Sequence, residues 1–167
     1  MTRSIEVLII DDDPDDYFLT RELFEELDDE KFVLTWKDTY EAGRDALLSG
    51  RPDLCLLDFS LGAMTGLDLL REAAAQGCKI PILFLTNQSD RELAVEVMKA
   101  GAADYLVKGK FGAQQLERAI RYSLERSRSL HALQKLNTEL QEEREKTRDM
   151  EIIRKQNEEY DQKVTVM

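Results

Sequence analysis

The sequence predicts an α/β domain, a doubly wound five-stranded parallel sheet with helices on both faces, whose last helix is extended into a long coiled coil. Three observations carry this reading. Apolar strand-like runs alternate five times with helical stretches over short connections, the pattern that parallel crossovers produce. Leu54-Cys55-Leu56-Leu57 is a continuous apolar run ending in Asp58, as in a strand buried on both faces. Beyond Gly112 the chain has neither Gly nor Pro and is rich in Glu, Arg, Lys, Gln and Leu, a helical composition.

Taken in order, Ile5 to Ile10 is a β-branched-rich strand that runs into Asp11-Asp12-Asp13-Pro14-Asp15-Asp16. Asp13 suits a helix N-cap, Pro14 the first helical position, and Asp15 and Asp16 the positive end of the helix dipole. Tyr17, Leu19, Leu23, Phe24 and Leu27 then give a helical apolar face. Asp11 and Asp12 are left without a capping role. Asp28-Asp29-Glu30-Lys31 is a charged turn, and Phe32 to Trp36 a strand of mixed polarity that fits a sheet edge. Tyr40 to Ser49 forms a short helix closed by Gly50 and Pro52. The strand ending at Asp58 follows, then a loop over residues 59–65, in which Gly62 is expected to loosen the chain slightly. A helix runs from Gly66 to Gly77, a strand with Pro81 near its start from Ile80 to Thr86, a helix from Asp90 to Ala100, and a short strand over Tyr105-Leu106-Val107 ending in Lys108-Gly109.

The chain has 167 residues, enough to bury one sizeable core. No run of about eighteen apolar residues is present, so nothing is expected to span a membrane. The start reads as a strand rather than a signal peptide, and Cys55 and Cys78 lack metal-type spacing. Two unpaired thiols fit a reducing, cytoplasmic setting. The whole formal charge of −11 falls in residues 1–111, since the remainder carries eleven acids and eleven bases. So acidic a domain disfavours nucleic acid, whose phosphates need a basic surface, and favours a cation.

Ligands of doubly wound sheets bind outside the carboxyl ends of the strands, where strand order reverses. Four of the five strands end in chemically capable residues: Asp11 and Asp12, Asp58, Thr86, and Lys108. In the order 2-1-3-4-5 the first and third strands are neighbours, roughly 4.8 Å apart, and their carboxylates share one crevice. Three carboxylates that close require protonation or a metal. A hard divalent cation such as Mg²⁺ fits oxygen ligands of this kind. Lys108 adds a second positive charge and Thr86 a hydroxyl donor. Two cations and a donor around a carboxylate suit phosphoryl transfer, with Asp58 as the nucleophile that forms an acyl phosphate.

These residues resemble the receiver domain of two-component response regulators, a flavodoxin-like fold. The resemblance covers about residues 4–125 and rests on Ile9-Ile10-Asp11-Asp12, Leu56-Leu57-Asp58 followed by Gly66, Phe84-Leu85-Thr86, and Ala102-Ala103-Asp104-Tyr105-Leu106-Val107-Lys108. It implies that Asp58 accepts phosphate from the phosphohistidine of a sensor histidine kinase or a phosphotransfer protein. It further implies that Asp12, Asp58 and the backbone carbonyl of Ser60 bind Mg²⁺ directly, with Asp11 acting through water. Thr86 would close onto the phosphoryl group, Lys108 would pair with it, and Tyr105 would turn inward as part of the switch. The chain departs from the family at Gly109, where a Pro after a cis bond is usual. A cis bond to a non-proline costs roughly 3 kcal/mol, so this peptide is either trans or cis under strain. Asn87 stands where a very small residue is preferred, and either narrows access to Asp58 or binds a phosphate oxygen.

The receiver is placed at residues 1–125 and a coiled-coil helix, continuous with its last helix, at 126–167. About fifty helical residues would extend roughly 75 Å. Leu133, Leu136, Leu140, Thr147, Met150, Ile153, Asn157, Tyr160, Val164 and Met167 recur at spacings of three and four, interrupted by Glu143 and slipping in phase near Met150, as in a heptad coil with a stammer. A parallel homodimer is the expected outcome, with Asn157 fixing register; a solvated single helix with i,i+4 ion pairs is the alternative. The resemblance implies that such a helix leads to an effector such as a cyclase, kinase, phosphatase or sensory domain. His131, the only histidine, is expected to be an exposed helical residue. The function expected is a phosphorylation-dependent switch with a conformational output, not a turnover enzyme. Alternatives are a phosphorylation-independent scaffold and an aspartyl-phosphate hydrolase. The hydrolase usually has a second Asp two residues after its nucleophile, where this chain has Ser60.

Overall fold

The structure is a computed structural model that describes residues 3–27, 31–87 and 90–166, with side chains described through residue 164. The charged turn at 28–30 and the seam position Met167 lie outside the described residues. In chain order the elements are β1 (Ile5–Ile10), α1 (Pro14–Glu26), β2 (Phe32–Lys37), α2 (Tyr40–Leu48), β3 (Leu54–Asp58), β4 (Ser60–Leu61), β5 (Met64–Thr65), α3 (Gly66–Ala75), β6 (Ile82–Thr86), α4 (Arg91–Lys99), β7 (Asp104–Val107) and α5 (Ala113–Val166).

Five strands form one parallel sheet in the order β2-β1-β3-β6-β7, which is 2-1-3-4-5 once the small β4-β5 hairpin is set aside. Side chains on a strand alternate between its faces, and two cores follow from that period. Leu8, Ile10, Cys55, Leu57, Ile82 and Phe84 pack with Leu47 of α2, Leu69 of α3 and Val97 of α4. Val7, Ile9, Leu54, Leu56, Leu83 and Leu85 pack with Phe24 of α1 and Leu116, Ile120 and Leu124 of α5. Central β3 is buried along its whole length, Asp58 included, because strands pair on both its edges and helices cover both its faces.

Local chemistry accounts for the helix starts. Asp13 caps α1 by accepting from Asp15 N–H, and Pro14 occupies the first helical position. Thr39 caps α2, and Thr65 and Asp68 form a reciprocal capping box on α3. Three expectations need correction. The fourth sheet strand begins at Ile82 rather than Ile80, because Pro81 has no N–H for the ladder, although its carbonyl still accepts from Cys55 N–H at 3.0 Å. Residues 59–65 are not a plain loop, since Ser60–Leu61 and Met64–Thr65 pair antiparallel. Gly62 does not simply loosen that segment: at φ +69° it turns the hairpin and donates its N–H to the Asp12 carboxylate at 3.1 Å. A proline could supply neither the dihedral nor the donor.

Residues 1–127 and 128–167 form two compact units. In the second unit, helical throughout its described residues, Leu133, Leu136, Leu140, Met150, Ile153, Tyr160 and Val164 are exposed. Cys55 and Cys78 are free thiols, and no helix among the described residues is long and apolar enough to cross a membrane.

Candidate functional site

Asp58 ends β3, where Leu57 pairs with Ile10 of β1 and Asp58 itself with Leu85 of β6. The carboxylate therefore emerges at the carboxyl edge of the sheet, at the reversal point between β1 and β3. Asp11 extends β1 by one residue, its N–H donating to the Lys37 carbonyl at 3.1 Å. The turn it begins is held from two sides. The Asp11 carboxylate accepts from Asp13 N–H at 3.0 Å, and the Trp36 indole N–H donates to the Asp11 carbonyl at 2.9 Å. Trp36 in turn stacks on Tyr17, with ring centroids 4.4 Å apart and planes within 4°. Asp12 points to solvent and is restrained by Gly62. One oxygen each from Asp11, Asp12 and Asp58 lie within 4.8 Å of one another.

Lys108 reaches this cluster from the end of β7. Its ammonium lies 2.9 Å from Asp11 Oδ2, 2.8 Å from Asp58 Oδ1 and 2.8 Å from Asp16 Oδ2. The backbone that aims it is a turn closed by Lys110 N–H onto the Val107 carbonyl at 3.1 Å, with Gly109 third in the turn at φ +78°. That is the dihedral a type II turn requires of its third residue. The Lys108–Gly109 peptide is trans, and a glycine in the left-handed region does the work of bending the chain. Thr86 ends β6 fully buried, and its carbonyl accepts Lys108 N–H at 2.7 Å, so both residues sit at adjoining strand ends. Tyr105 is half-buried against the core that contains Phe84. Ser60 lies exposed on β4, two residues beyond Asp58, and Asn87 is exposed beyond Thr86.

Two contributors were not assigned to the site from the sequence. Asp16 was accounted for by the helix dipole, yet it holds one of the three bonds to Lys108. It is the third helical residue after the Asp13 cap, where side chains lean back over the helix start, and that spacing could have revealed it. Trp36 carried no comparable signal, because its bond to Asp11 depends on how β1 and β2 align in three dimensions.

Burial pushes the Asp11 carboxyl up to about 6, against the opposing pull of the Asp13 N–H and Lys108. Asp58 is raised for the same first reason, with the Lys108 hydrogen bond opposing and the charges of Asp16 and Asp12 adding to it. For Lys108 burial acts downward, but the hydrogen bonds to Asp16, Asp58 and Asp11 outweigh it and the ammonium is held above its usual range. The site is thus a crowd of hard oxygen donors with too little positive charge, and its donor set fits a hard dication such as Mg²⁺.

A dependence on pH follows. The folded state binds the Asp11 proton more tightly than the unfolded chain does, so this contribution to stability is full below about 4 and is lost as pH rises through about 6. A dication held by these carboxylates would take the place of that proton, so Mg²⁺ is expected to raise Tm by several degrees at about pH 7.5 and by much less at about pH 5. Thermal melts with Mg²⁺ or EDTA at the two pH values check this; equal gains would contradict it.

A parallel doubly wound sheet with an acidic pocket at its reversal point defines a flavodoxin-like domain. The sequence profile of the response regulator receiver domain matches residues 7–121, and the chain belongs to that family. It is 44% identical over 75 residues to the two-component response regulator PhoP of Pseudomonas aeruginosa, covering 45% of this chain and 33% of that protein. It is 32% identical over 128 residues to the transcriptional regulatory protein RprY of Bacteroides fragilis, covering 77% of this chain and 52% of that protein. A CheY-like response regulator receiver domain from Methanospirillum hungatei superimposes with a TM-score of 0.65 at 24% identity, covering 75% of this chain and 98% of that one. The chain spans about a third of the PhoP relative and half of the RprY relative.

Proposed function

We propose that this chain is a phosphorylation-dependent switch in which Asp58 accepts a phosphoryl group and a dimeric coiled-coil helix carries the output. The observation that supports it most is the gathering of Asp11, Asp12 and Asp58 at the mouth of the sheet, with the Lys108 ammonium against Asp11 and Asp58. One Asp58 oxygen attacks phosphorus, the bond from phosphorus to the donor's histidine nitrogen or acetate oxygen breaks, and its electron pair leaves with the donor. Lys108 moves a hydrogen bond from the Asp58 carboxylate to a phosphoryl oxygen. The Thr86 hydroxyl donates to another, and Tyr105 follows Thr86 inward. Asp12, Asp58 and the Ser60 carbonyl would hold Mg²⁺, with Asp11 behind a water, and the ion would supply charge neutralisation of the phosphoryl oxygens. The donor in the cell is a sensor histidine kinase or a phosphotransfer protein.

Incubation with acetyl phosphate and Mg²⁺, followed by intact mass, is expected to give an adduct of about 80 Da mapping to Asp58 and absent with EDTA. Rapid turnover of phosphoesters instead would indicate an aspartyl-phosphate hydrolase. No adduct would leave a receiver-fold scaffold.

For the output we place the receiver at 1–125 and a parallel homodimer along 126–167. Exposed apolar residues follow the three-four spacing on a helix that has no other element to cover them within its unit. With Leu133 and Leu140 as a positions and Leu136 as d, Glu139 meets Arg144 of the second copy and Lys146 meets Glu151 in a parallel, in-register pair. Light scattering is expected to show a dimer for the native chain and a monomer for Leu136→Lys. A monomeric native chain would refute the dimer.

A further inference from the structure

We infer that Asp16 is a fourth carboxylate of the phosphoryl site, which occupies one donor of Lys108, strengthens metal binding and slows the entry of anionic phosphodonors. This rests on the phosphoacceptor reading above. An ammonium has three N–H donors, and here Asp11, Asp58 and Asp16 take all three at 2.9, 2.8 and 2.8 Å. Two of those acceptors belong to the strand ends that form the pocket. The third belongs to α1 and gives nothing to the sheet; it touches Lys108 directly and adds its charge to that felt by Asp58. The Lys108 side chain is 12% exposed and that of Asp16 23%, so water screens this pair little.

Two consequences follow. With Asp16 ionised the pocket holds four carboxylates against one ammonium, and part of the lysine's charge is drawn toward α1. A dication therefore meets more negative charge and less competition from Lys108. A dianionic donor, by contrast, meets an added repulsion and must draw on a lysine whose donors are all engaged. Asp15 supplies the control. It has the same charge on the same helical turn, but it is exposed and belongs to no described contact with Lys108.

The test uses the full chain and compares Asp16→Asn and Asp15→Asn with the native protein. In calorimetric titration with Mg²⁺ alone, Asp16→Asn is expected to weaken binding about three- to tenfold, and Asp15→Asn less than twofold. With acetyl phosphate at saturating Mg²⁺, Asp16→Asn is expected to be phosphorylated about three- to thirtyfold faster, an advantage that shrinks as ionic strength rises. A merely structural role would move Tm and leave the salt dependence alone. Unchanged Mg²⁺ affinity in Asp16→Asn, or equal effects of the two substitutions, overturns the inference. A native chain that takes no phosphoryl group sinks the phosphoacceptor reading instead, and the Mg²⁺ titration still decides the role of Asp16.

Discussion

Gly66→Ala is expected to cost about 2–4 kcal/mol and to lower Tm by roughly 5–15 °C, although alanine is the better helix former. Gly66 is the first residue of α3, and a Cβ there would stand 2.1 Å from the backbone oxygen of Asp58. No side-chain rotation can relieve that clash, because the obstructing atom is backbone at the end of the central strand. The neighbouring contacts leave little slack: Gly66 N–H donates to the Phe59 carbonyl at 2.6 Å, and Leu57 is also within 3.2 Å of the added carbon. Either α3 must lift or Asp58 must move, and the second would disturb the carboxylate cluster. Mg²⁺ binding should therefore weaken along with stability. Gly112→Ala is the control, since nothing lies within 4 Å of its added carbon and the change should stay within about 1 kcal/mol. Calorimetric melts of both variants check this; a Gly66→Ala protein as stable as the native one would show that α3 shifts freely.

The contrast between these two glycines shows what the sequence could reveal. Gly66 was legible as the start of a helix, but its closeness to the Asp58 carbonyl is a contact across the β3–α3 connection that no periodicity encodes. The sheet order and the strand-end residues were legible because continuous apolar runs joined by short crossovers leave few topologies, and the reversal point then brings Asp11, Asp12 and Asp58 together. The α1 cap was legible because Asp13-Pro14 is a local signal. What stayed hidden was long-range. The hairpin at 60–65 is two residues a side, too short for alternation to register. The Trp36 bond to Asp11 spans 25 positions, and the Gly62 bond to Asp12 spans 50. At Gly109 the sequence left both peptide isomers open; the peptide is trans, and the turn is made by a positive φ that glycine adopts without strain.

Asp58→Asn is expected to abolish the acetyl phosphate adduct and, in the absence of metal, to make the protein more stable at neutral pH. The first half follows from chemistry, since an amide is no nucleophile toward phosphorus here and the change leaves the other groups in place. The second half follows from the charge balance of the site. Asp58 is 6% exposed, and its carboxyl is raised by burial despite the bond to Lys108. At neutral pH its charge is thus held in a place that disfavours it, and this penalty is absent below the unfolded carboxylate range and grows as pH rises through the raised folded value. Asparagine keeps an oxygen to accept from Lys108 and gains two donors toward neighbouring carboxylates, so no buried group is orphaned. A gain of about 1–3 kcal/mol in metal-free buffer is expected, shrinking toward acid pH. The Mg²⁺-dependent rise in Tm should be much reduced in the variant. Paired melts with EDTA and with Mg²⁺, alongside intact mass after acetyl phosphate, read both halves. An adduct that survives would move the phosphoacceptor elsewhere, and a destabilised variant would mean that Asp58 is held for structure. A stabilised but inert one would show that repulsion between carboxylates is retained because the phosphoryl chemistry requires it.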